Sequence, residues 1–175
     1  MREPSKPANP SRRPPWLTVA LAAVLAGALD LGFAFIWYGR QGVGAELLLR
    51  GIASGVLGPS AFALGSWTPT LGAALHFFIS LCAAFTYYFA SRSLGVLTRR
   101  PLLCGTAFGV AMYIAMHFMV LPLSRVHFRL PSLYNVIGEL FSHVFFFGIV
   151  IALGVARANR GSMPAAEVSR SHEPT

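Results

Sequence analysis

Glu139-Leu140-Phe141-Ser142-His143 places two ionisable side chains inside an apolar run that extends from about residue 134 to residue 156. Four residues advance an α-helix by about 400°, so Glu139 and His143 lie one turn apart on the same face. Ionisable groups at membrane depth are costly and usually face the interior of a helix bundle or a water-filled cavity. The stretch therefore predicts a membrane helix that carries a polar group inward.

The composition also indicates a membrane protein. The chain is 55% hydrophobic and only 11% charged, which is unlike a water-soluble domain of 175 residues. Its formal net charge of +8 comes mainly from arginines at the ends of apolar runs, with no long basic tract. Arginines in such positions contact lipid head groups and set topology. We therefore expect the lipid bilayer, and no nucleic acid, as the partner; a homo-oligomer is left open.

Four apolar runs are long enough to cross a bilayer, which takes about 20 helical residues. They cover residues 16–38, 68–90, 101–121 and 134–156. We predict an all-α membrane protein, a four-transmembrane-helix bundle over residues 16–157, between a disordered basic arm (1–15) and a disordered tail (158–175). A cleaved secretory signal is the alternative for the first run. The apolar character continues ten residues past the candidate cleavage site at Ala26-Gly27-Ala28, which favours a retained helix.

Residues 43–66 form a glycine-rich segment between the first and second spans. Glu46 and Arg50 have the i,i+4 spacing of a pair on a helix face. The apolar part that follows is too short for a span, so we predict a helix at the membrane interface or a re-entrant hairpin shielded by the bundle. Gly51 and Gly55 have the small-xxx-small spacing that would allow close contact with another helix.

The basic residues agree with four spans. Four spans place ten Lys and Arg residues on the side of the two termini and four on the other side. A fifth span through residues 50–67 would give six and eight, and the positive-inside bias would disappear. We therefore expect a multi-pass protein with both termini in the cytoplasm.

Five ionisable residues lie in the outer half of the predicted bundle. At 1.5 Å per residue, each lies roughly 6–13 Å below the outer end of its span, whereas no comparable group lies in the inner half. Random placement would scatter such residues over both halves, so we expect their side chains to converge. These residues are Asp30, His76, His117, Glu139 and His143.

Three chemistries fit this cluster, and the sequence does not decide among them. His76, His117, Glu139 and His143 could bind a transition metal such as zinc. Two histidines on facing helices could hold a haem. All five residues could relay or sense protons, because imidazole titrates near neutrality. No nucleophile elbow, P-loop or dinucleotide motif is present, which argues against hydrolytic or nucleotide-driven chemistry. The cofactor is unknown, and whether the protein is an enzyme is undecided.

A structural interpretation competes with all three chemistries. Asp30 could be a packing residue bonded to a serine or threonine of another helix, and His76 or His117 could each be an interhelical hydrogen-bonding group. If all these polar groups only lock helices together, the chain would be a non-enzymatic structural or interaction protein of the membrane. Glu139 with His143 favours a functional role more, because a carboxylate can hold the tautomer of a neighbouring imidazole.

Three short motifs resemble the YagU-like family of bacterial inner-membrane proteins. They are His76-Phe77-Phe78-Ile79-Ser80, then Met116-His117 followed by Pro122-Leu123, and Glu139-Leu140-Phe141-Ser142-His143 followed by Arg157. The resemblance covers residues 72–157 and departs from the family in the N-terminal half, so it implies nothing for Asp30. It implies a protein of the bacterial inner membrane with a link to envelope or acid stress, and it supplies no reaction.

Overall fold

The computed structural model describes residues 14–125 and 131–162, with side chains described through Arg160. Within these residues the chain is all-α. A 3₁₀ turn at Gly58–Phe62 follows the second helix. The helices are α1 (Pro15–Gly39), α2 (Ala45–Leu57), α3 (Trp67–Ser93), α4 (Val96–Arg99), α5 (Pro101–Leu123) and α6 (Leu133–Arg160).

Four of these helices are long and apolar enough to cross a membrane. They are α1, α3, α5 and α6, with 25, 27, 23 and 28 residues. At 1.5 Å per residue they measure roughly 34–42 Å, against a hydrocarbon core of about 30 Å. The predicted four-helix membrane bundle is therefore confirmed.

The helix ends follow local chemistry. Pro15 and Pro101 are each the first residue of a helix. A backbone N–H at this position would have no acceptor within the helix, so proline loses no hydrogen bond there. Ser132 caps α6, because its side chain accepts a hydrogen bond from the backbone N–H of Asn135. The backbone of α6 continues helically to Ser162, past the predicted start of the tail at residue 158. Asn159 supports this extension by donating from Nδ2 to Ser91 Oγ at 3.0 Å. The rest of the predicted arm and tail lies outside the described residues, apart from Pro14 and Pro15.

The four long helices alternate in direction. Ala22, early in α1, lies against Gly154, late in α6. Asn159 and Ser91 meet at the ends of α6 and α3. We call this end of the bundle the proximal end. At the opposite, distal end α1 and α5 finish, α3 and α6 begin, and α2 is inserted.

Close contacts between small residues hold the proximal part of the bundle together. Its core is rich in alanine and includes Ala23, Ala26, Ala84, Ile151 and Val155, all inaccessible to solvent. A Cβ placed on Gly105 would lie 2.9 Å from the Ala152 Cβ, and one on Gly148 would lie 2.3 Å from the Gly105 carbonyl oxygen. Such close backbone approach is how membrane helices gain van der Waals contact.

The short helix α2 packs on the start of α3 and does not form a fifth span. Its 13 residues extend about 20 Å, too little to cross the hydrocarbon core. Arg50 of α2 pairs with Glu46 at 2.8 Å and donates to Leu64 O at 2.6 Å and Thr68 Oγ1 at 2.7 Å. This arginine therefore ties α2 to the turn that leads into α3.

Within the described residues, Gly51 and Gly55 do not make the close helix contact that their spacing would allow. A Cβ on Gly51 would meet no heavy atom of the described residues within 4 Å, and one on Gly55 would meet only Ser124 Cβ at 3.8 Å. The close approach of α2 occurs instead at Gly72 of α3, where an added Cβ would lie only 2.0 Å from Leu49 O. The glycine face of α2 is turned toward a cavity.

Candidate functional site

His117 and Glu139 meet at the distal end of the bundle, between α5 and α6. The distance from His117 Nε2 to Glu139 Oε2 is 2.9 Å, and the two side chains are 12% and 18% exposed. The hydroxyl group of Tyr38, at the end of α1, donates a hydrogen bond to the other carboxylate oxygen of Glu139, Oε1. One carboxylate is thereby contacted from two neighbouring helices.

The surroundings of the His117 ring favour a proton between these two residues. His117 Nδ1 lies 3.1 Å from the carbonyl oxygen of Tyr113, which can only accept a hydrogen bond. A neutral imidazole has one N–H, so it can satisfy either Tyr113 O or Glu139 Oε2 but not both. If Nδ1 carries the N–H, a second proton on Nε2 or on the carboxyl group makes the 2.9 Å contact with Oε2 attractive, although the contact is not well aligned for a hydrogen bond.

The Oε2 atom of Glu139 is held less completely than Oε1. It is buried and has no well-aligned hydrogen bond within the described residues, although His117 Nε2 lies at ion-pair distance. Buried polar atoms are normally satisfied, and exceptions call for a specific explanation. Oε2 is therefore the least satisfied polar atom among the described residues of the cluster.

Asp30, Ser142 and His143 form a second group beside the first. Ser142 Oγ donates to Asp30 Oδ1 at 2.5 Å, and His143 Nδ1 lies 3.9 Å from the same oxygen. A cavity of about 50 Å³ separates this group from Glu139 and Tyr38 and has both carboxylates in its wall. It is roomy and polar enough for a water molecule. The two groups are neighbours that one water can connect.

The spacing of Glu139 and His143 suggested that the carboxylate could hold the imidazole ring. The structure gives the ring a different partner. His143 Nδ1 instead lies 2.9 Å from the backbone carbonyl oxygen of Glu139, four residues earlier in the helix. Helical side chains lean toward the N-terminus, which brings the ring of residue i+4 near that carbonyl. The Glu139 carboxylate reaches across to α1 and α5 and pairs with His117.

His76 lies apart from both groups. Its Nε2 atom is 2.9 Å from the carbonyl oxygen of Gly27 in α1, and it lines neither the small cavity nor the larger one described next. Gly27 allows this approach, because a Cβ there would lie 2.7 Å from Ser80 Oγ. Of the five predicted residues, four gather around the cavities, and His76 joins α1 to α3.

A cavity of about 710 Å³ adjoins the Glu139 group at the distal end. Its walls are mainly aliphatic side chains of α2, α3 and α5. Its polar lining residues are Tyr38, His117, Ser124, Glu139 and His143. Ligand sites in proteins commonly measure roughly 300–1,000 Å³ and combine apolar walls with a few polar groups. The cavity has the size and the lining of a binding site.

Two π-helical segments carry the site histidines. Met116–Val120 contains His117, and His143–Gly148 begins at His143. The first precedes Pro122, which has no N–H to donate to the turn before it and crowds the carbonyl four residues earlier. Single π-turns inside α-helices occur frequently at functional sites. Here they contain the imidazoles that line the cavity.

Sequence reasoning missed three contributors to the site. Tyr38 had a sufficient explanation as an interfacial aromatic, Tyr113 contributes through its backbone carbonyl, and Ser142 is a small polar residue in an apolar run. Only Ser142 had a usable signal, since it lies three residues after Glu139 and therefore on the same face. Backbone carbonyls and cross-helix partners leave no mark on the sequence pattern.

The arrangement does not favour a metal or a haem. Within the described ranges, no group of three or more His, Cys, Asp and Glu side chains is placed to hold one metal ion. Both ring nitrogens of His117 already face oxygen atoms, so neither offers a lone pair to an iron. The predicted metal ligands His76, His117, Glu139 and His143 thus remain a sequence prediction to which the geometry adds no support.

Comparison with known proteins gives no further assignment. No family model, curated protein or solved structure matches this chain. What stands is a multi-pass, all-α membrane bundle with a carboxylate–imidazole pair beside an apolar cavity.

Proposed function

We propose that the protein handles protons within the membrane, and that His117 and Glu139 share one exchangeable proton at the wall of the large cavity. The observation that carries the proposal is the pair of oxygen contacts of the His117 ring, to Tyr113 O at 3.1 Å and to Glu139 Oε2 at 2.9 Å. Both contacts are favourable when the pair holds one proton more than a neutral imidazole and an ionised carboxylate.

The neighbouring groups provide a short path for that proton. Tyr38 is hydrogen-bonded to Glu139, and the small cavity beside them brings Asp30 within reach of one bridging water. Intramembrane carboxylates and histidines arranged in this way are typical of proton relays. A proton needs no fixed coordination geometry, which is why this chemistry fits two residues where a metal would need three or more.

The proposal includes a cellular setting. The excess of arginine on the side of the termini supports a plasma-membrane protein with both termini in the cytoplasm. The resemblance to YagU-like proteins adds the bacterial inner membrane and acid or envelope stress. A reporter fused after Arg160 should report the cytoplasm; periplasmic activity would contradict this orientation.

Infrared difference spectra between low and high pH test the proton site. The protein would be reconstituted in lipid nanodiscs, and carboxyl bands that change with pH would be recorded for wild type, Glu139→Gln and Glu46→Gln. We expect one band to vanish in Glu139→Gln and to persist in Glu46→Gln, because Glu46 is an exposed carboxylate of α2 that pairs with Arg50. Loss of no band in Glu139→Gln would contradict the proposal.

A packing role is the second candidate function. The observation that favours it is the set of hydrogen bonds that join helices, from His76 to Gly27 and from Ser142 to Asp30. If Glu139 has only this role, Glu139→Gln will lower stability and leave every pH-dependent carboxyl band in place. The same spectra therefore separate the two functions.

A further inference from the structure

The large cavity has ionisable residues in its lining, although most of its wall is apolar. Within the described residues, its lining contains one carboxylate, Glu139, and two imidazoles, His117 and His143, and no lysine or arginine. Asp30 adds a second carboxylate through the adjoining small cavity. With both carboxylates ionised, protonation of both imidazoles brings the net charge of these four residues only to zero. The site therefore disfavours an anionic head group.

Two acceptor atoms of the polar wall lack a well-aligned hydrogen bond within the described residues. Glu139 Oε2 is buried without a well-aligned hydrogen bond. His143 uses Nδ1 on the Glu139 carbonyl, and its Nε2 atom has no hydrogen bond within the described residues. Both are acceptors when the residues are unprotonated, so they match a donor or a positive charge.

We infer that the cavity binds a lipophilic cation, whose charge pairs with the Glu139 carboxylate in place of the shared proton while its apolar surface fills the space between α2, α3 and α5. This inference rests on the proposed proton site. Aliphatic walls suit the body, and the rings of Tyr38 and Phe62 in the lining can face a cation. Burial of the cation is compensated because it pairs with a carboxylate that is already buried.

Competition between cation and proton gives the site a pH dependence. The ionisable groups that face Glu139 are Tyr38 and Asp30 from α1, Tyr113 and His117 from α5, and His143 from α6. In the described lining, α2 and α3 contribute only apolar residues and glycine. Because bound cation and shared proton exclude each other, affinity for the cation should rise with pH by up to about tenfold per unit for one proton displaced.

Binding of tetraphenylphosphonium to the whole protein in phosphatidylcholine nanodiscs tests the inference. Dissociation constants would be measured between about pH 6 and pH 8, with empty nanodiscs subtracted, and compared with those of tetraphenylborate, a similar body of opposite charge. We expect saturable binding of the cation alone, tightening as pH rises. Equal binding of both ions, or none of the cation, would overturn the inference.

Two variants locate the binding site. Glu139→Gln should weaken tetraphenylphosphonium binding by at least about tenfold and remove its pH dependence, whereas Glu46→Gln, a matched change outside the cavity, should leave both unchanged. Gly51→Leu should also weaken binding, because Gly51 lines the cavity and an added Cβ there would enter open space. Unchanged binding in both Glu139→Gln and Gly51→Leu would refute the inference.

The outcomes separate this inference from the proton site itself. If the infrared band of Glu139 is present but the cation does not bind, the inference fails and the proton site stands. If the band is absent and the cation binds without pH dependence, the proton site fails and the cavity is an ordinary apolar pocket.

Discussion

Glycines play opposite roles in two regions of the bundle. Where α5 meets α6, a Cβ on Gly109 would lie 2.3 Å from His143 O and 2.7 Å from Val144 Cα, so the two backbones are in contact. On α2, Gly51 faces a cavity of about 710 Å³ and a Cβ there would meet no heavy atom of the described chain within 4 Å. The same residue type lets two helices touch in one region and leaves space in the other.

The contrast between Gly109 and Gly51 shows which helix surfaces stabilise the bundle by close packing. In a membrane, helices associate through van der Waals packing and hydrogen bonds, because lipid is as apolar as the helix surfaces. The α5/α6 interface has this packing, and so does α2 where it meets Gly72 of α3, whereas the face of α2 that carries Gly51 borders an open cavity. A polar wall on a space that packing does not fill is what a binding site requires.

The largest expected effect is at the tight interface. Gly109→Ala should lower the free energy of unfolding by about 1–3 kcal/mol, since the added methyl must push two backbones apart. Gly51→Ala is the matched control and should raise stability by about 0.5–1 kcal/mol, because alanine favours a helix interior. Thermal unfolding in detergent measures both. Equal effects of the two substitutions would mean that the regions do not differ in packing.

An intermediate loss of stability is expected at the hydrogen bond between Ser142 and Asp30 beside the small cavity. Ser142→Ala removes the hydroxyl that donates to Asp30 and leaves a buried acceptor without it, which should cost about 1–3 kcal/mol. Ser80→Ala is the control, because Ser80 is equally buried but bonds only to His76 O within its own helix. Comparable losses in the two variants would show that the Asp30 contact does not stabilise the bundle.

The smallest effect should be at His76. His76→Gln should cost roughly 0.6 kcal/mol, the average for an interhelical hydrogen bond in a membrane. Because His76 lines neither cavity, the pH-difference infrared bands should remain as in wild type. A change in the Glu139 band would show that His76 belongs to the proton site after all.

The sequence predicted the spans but not which polar groups meet. Hydropathy and length identified α1, α3, α5 and α6, because crossing a bilayer imposes a length and an apolar composition that are readable locally. Partner choice depends on helix rotation and on π-turns of one residue, which local patterns do not encode. Glu139 therefore pairs with His117 and not with His143, and His76 lies outside the cavities despite its similar depth.

The glycine pairs illustrate the same limit. Gly51 and Gly55 have the spacing of a packing motif, yet they face a cavity, and the close approach of α2 to α3 depends on Gly72. Spacing indicates that a close approach is sterically permitted. Whether another helix occupies that face depends on the turn and the arginine that place α2, which are tertiary contacts.

Nitrogen-15 resonances of the His117 ring, followed with pH in histidine-labelled protein, would test the shared proton. Assignment would come from His117→Gln, and the spectra of wild type would be compared with those of Glu139→Gln and Glu46→Gln. We predict that Nδ1 stays protonated throughout in wild type, as its contact with Tyr113 O requires. We further predict that the Nε2 signal changes with pH over a range that Glu139→Gln displaces and Glu46→Gln does not. A Nε2 profile identical in wild type and Glu139→Gln would contradict a proton held between His117 and Glu139.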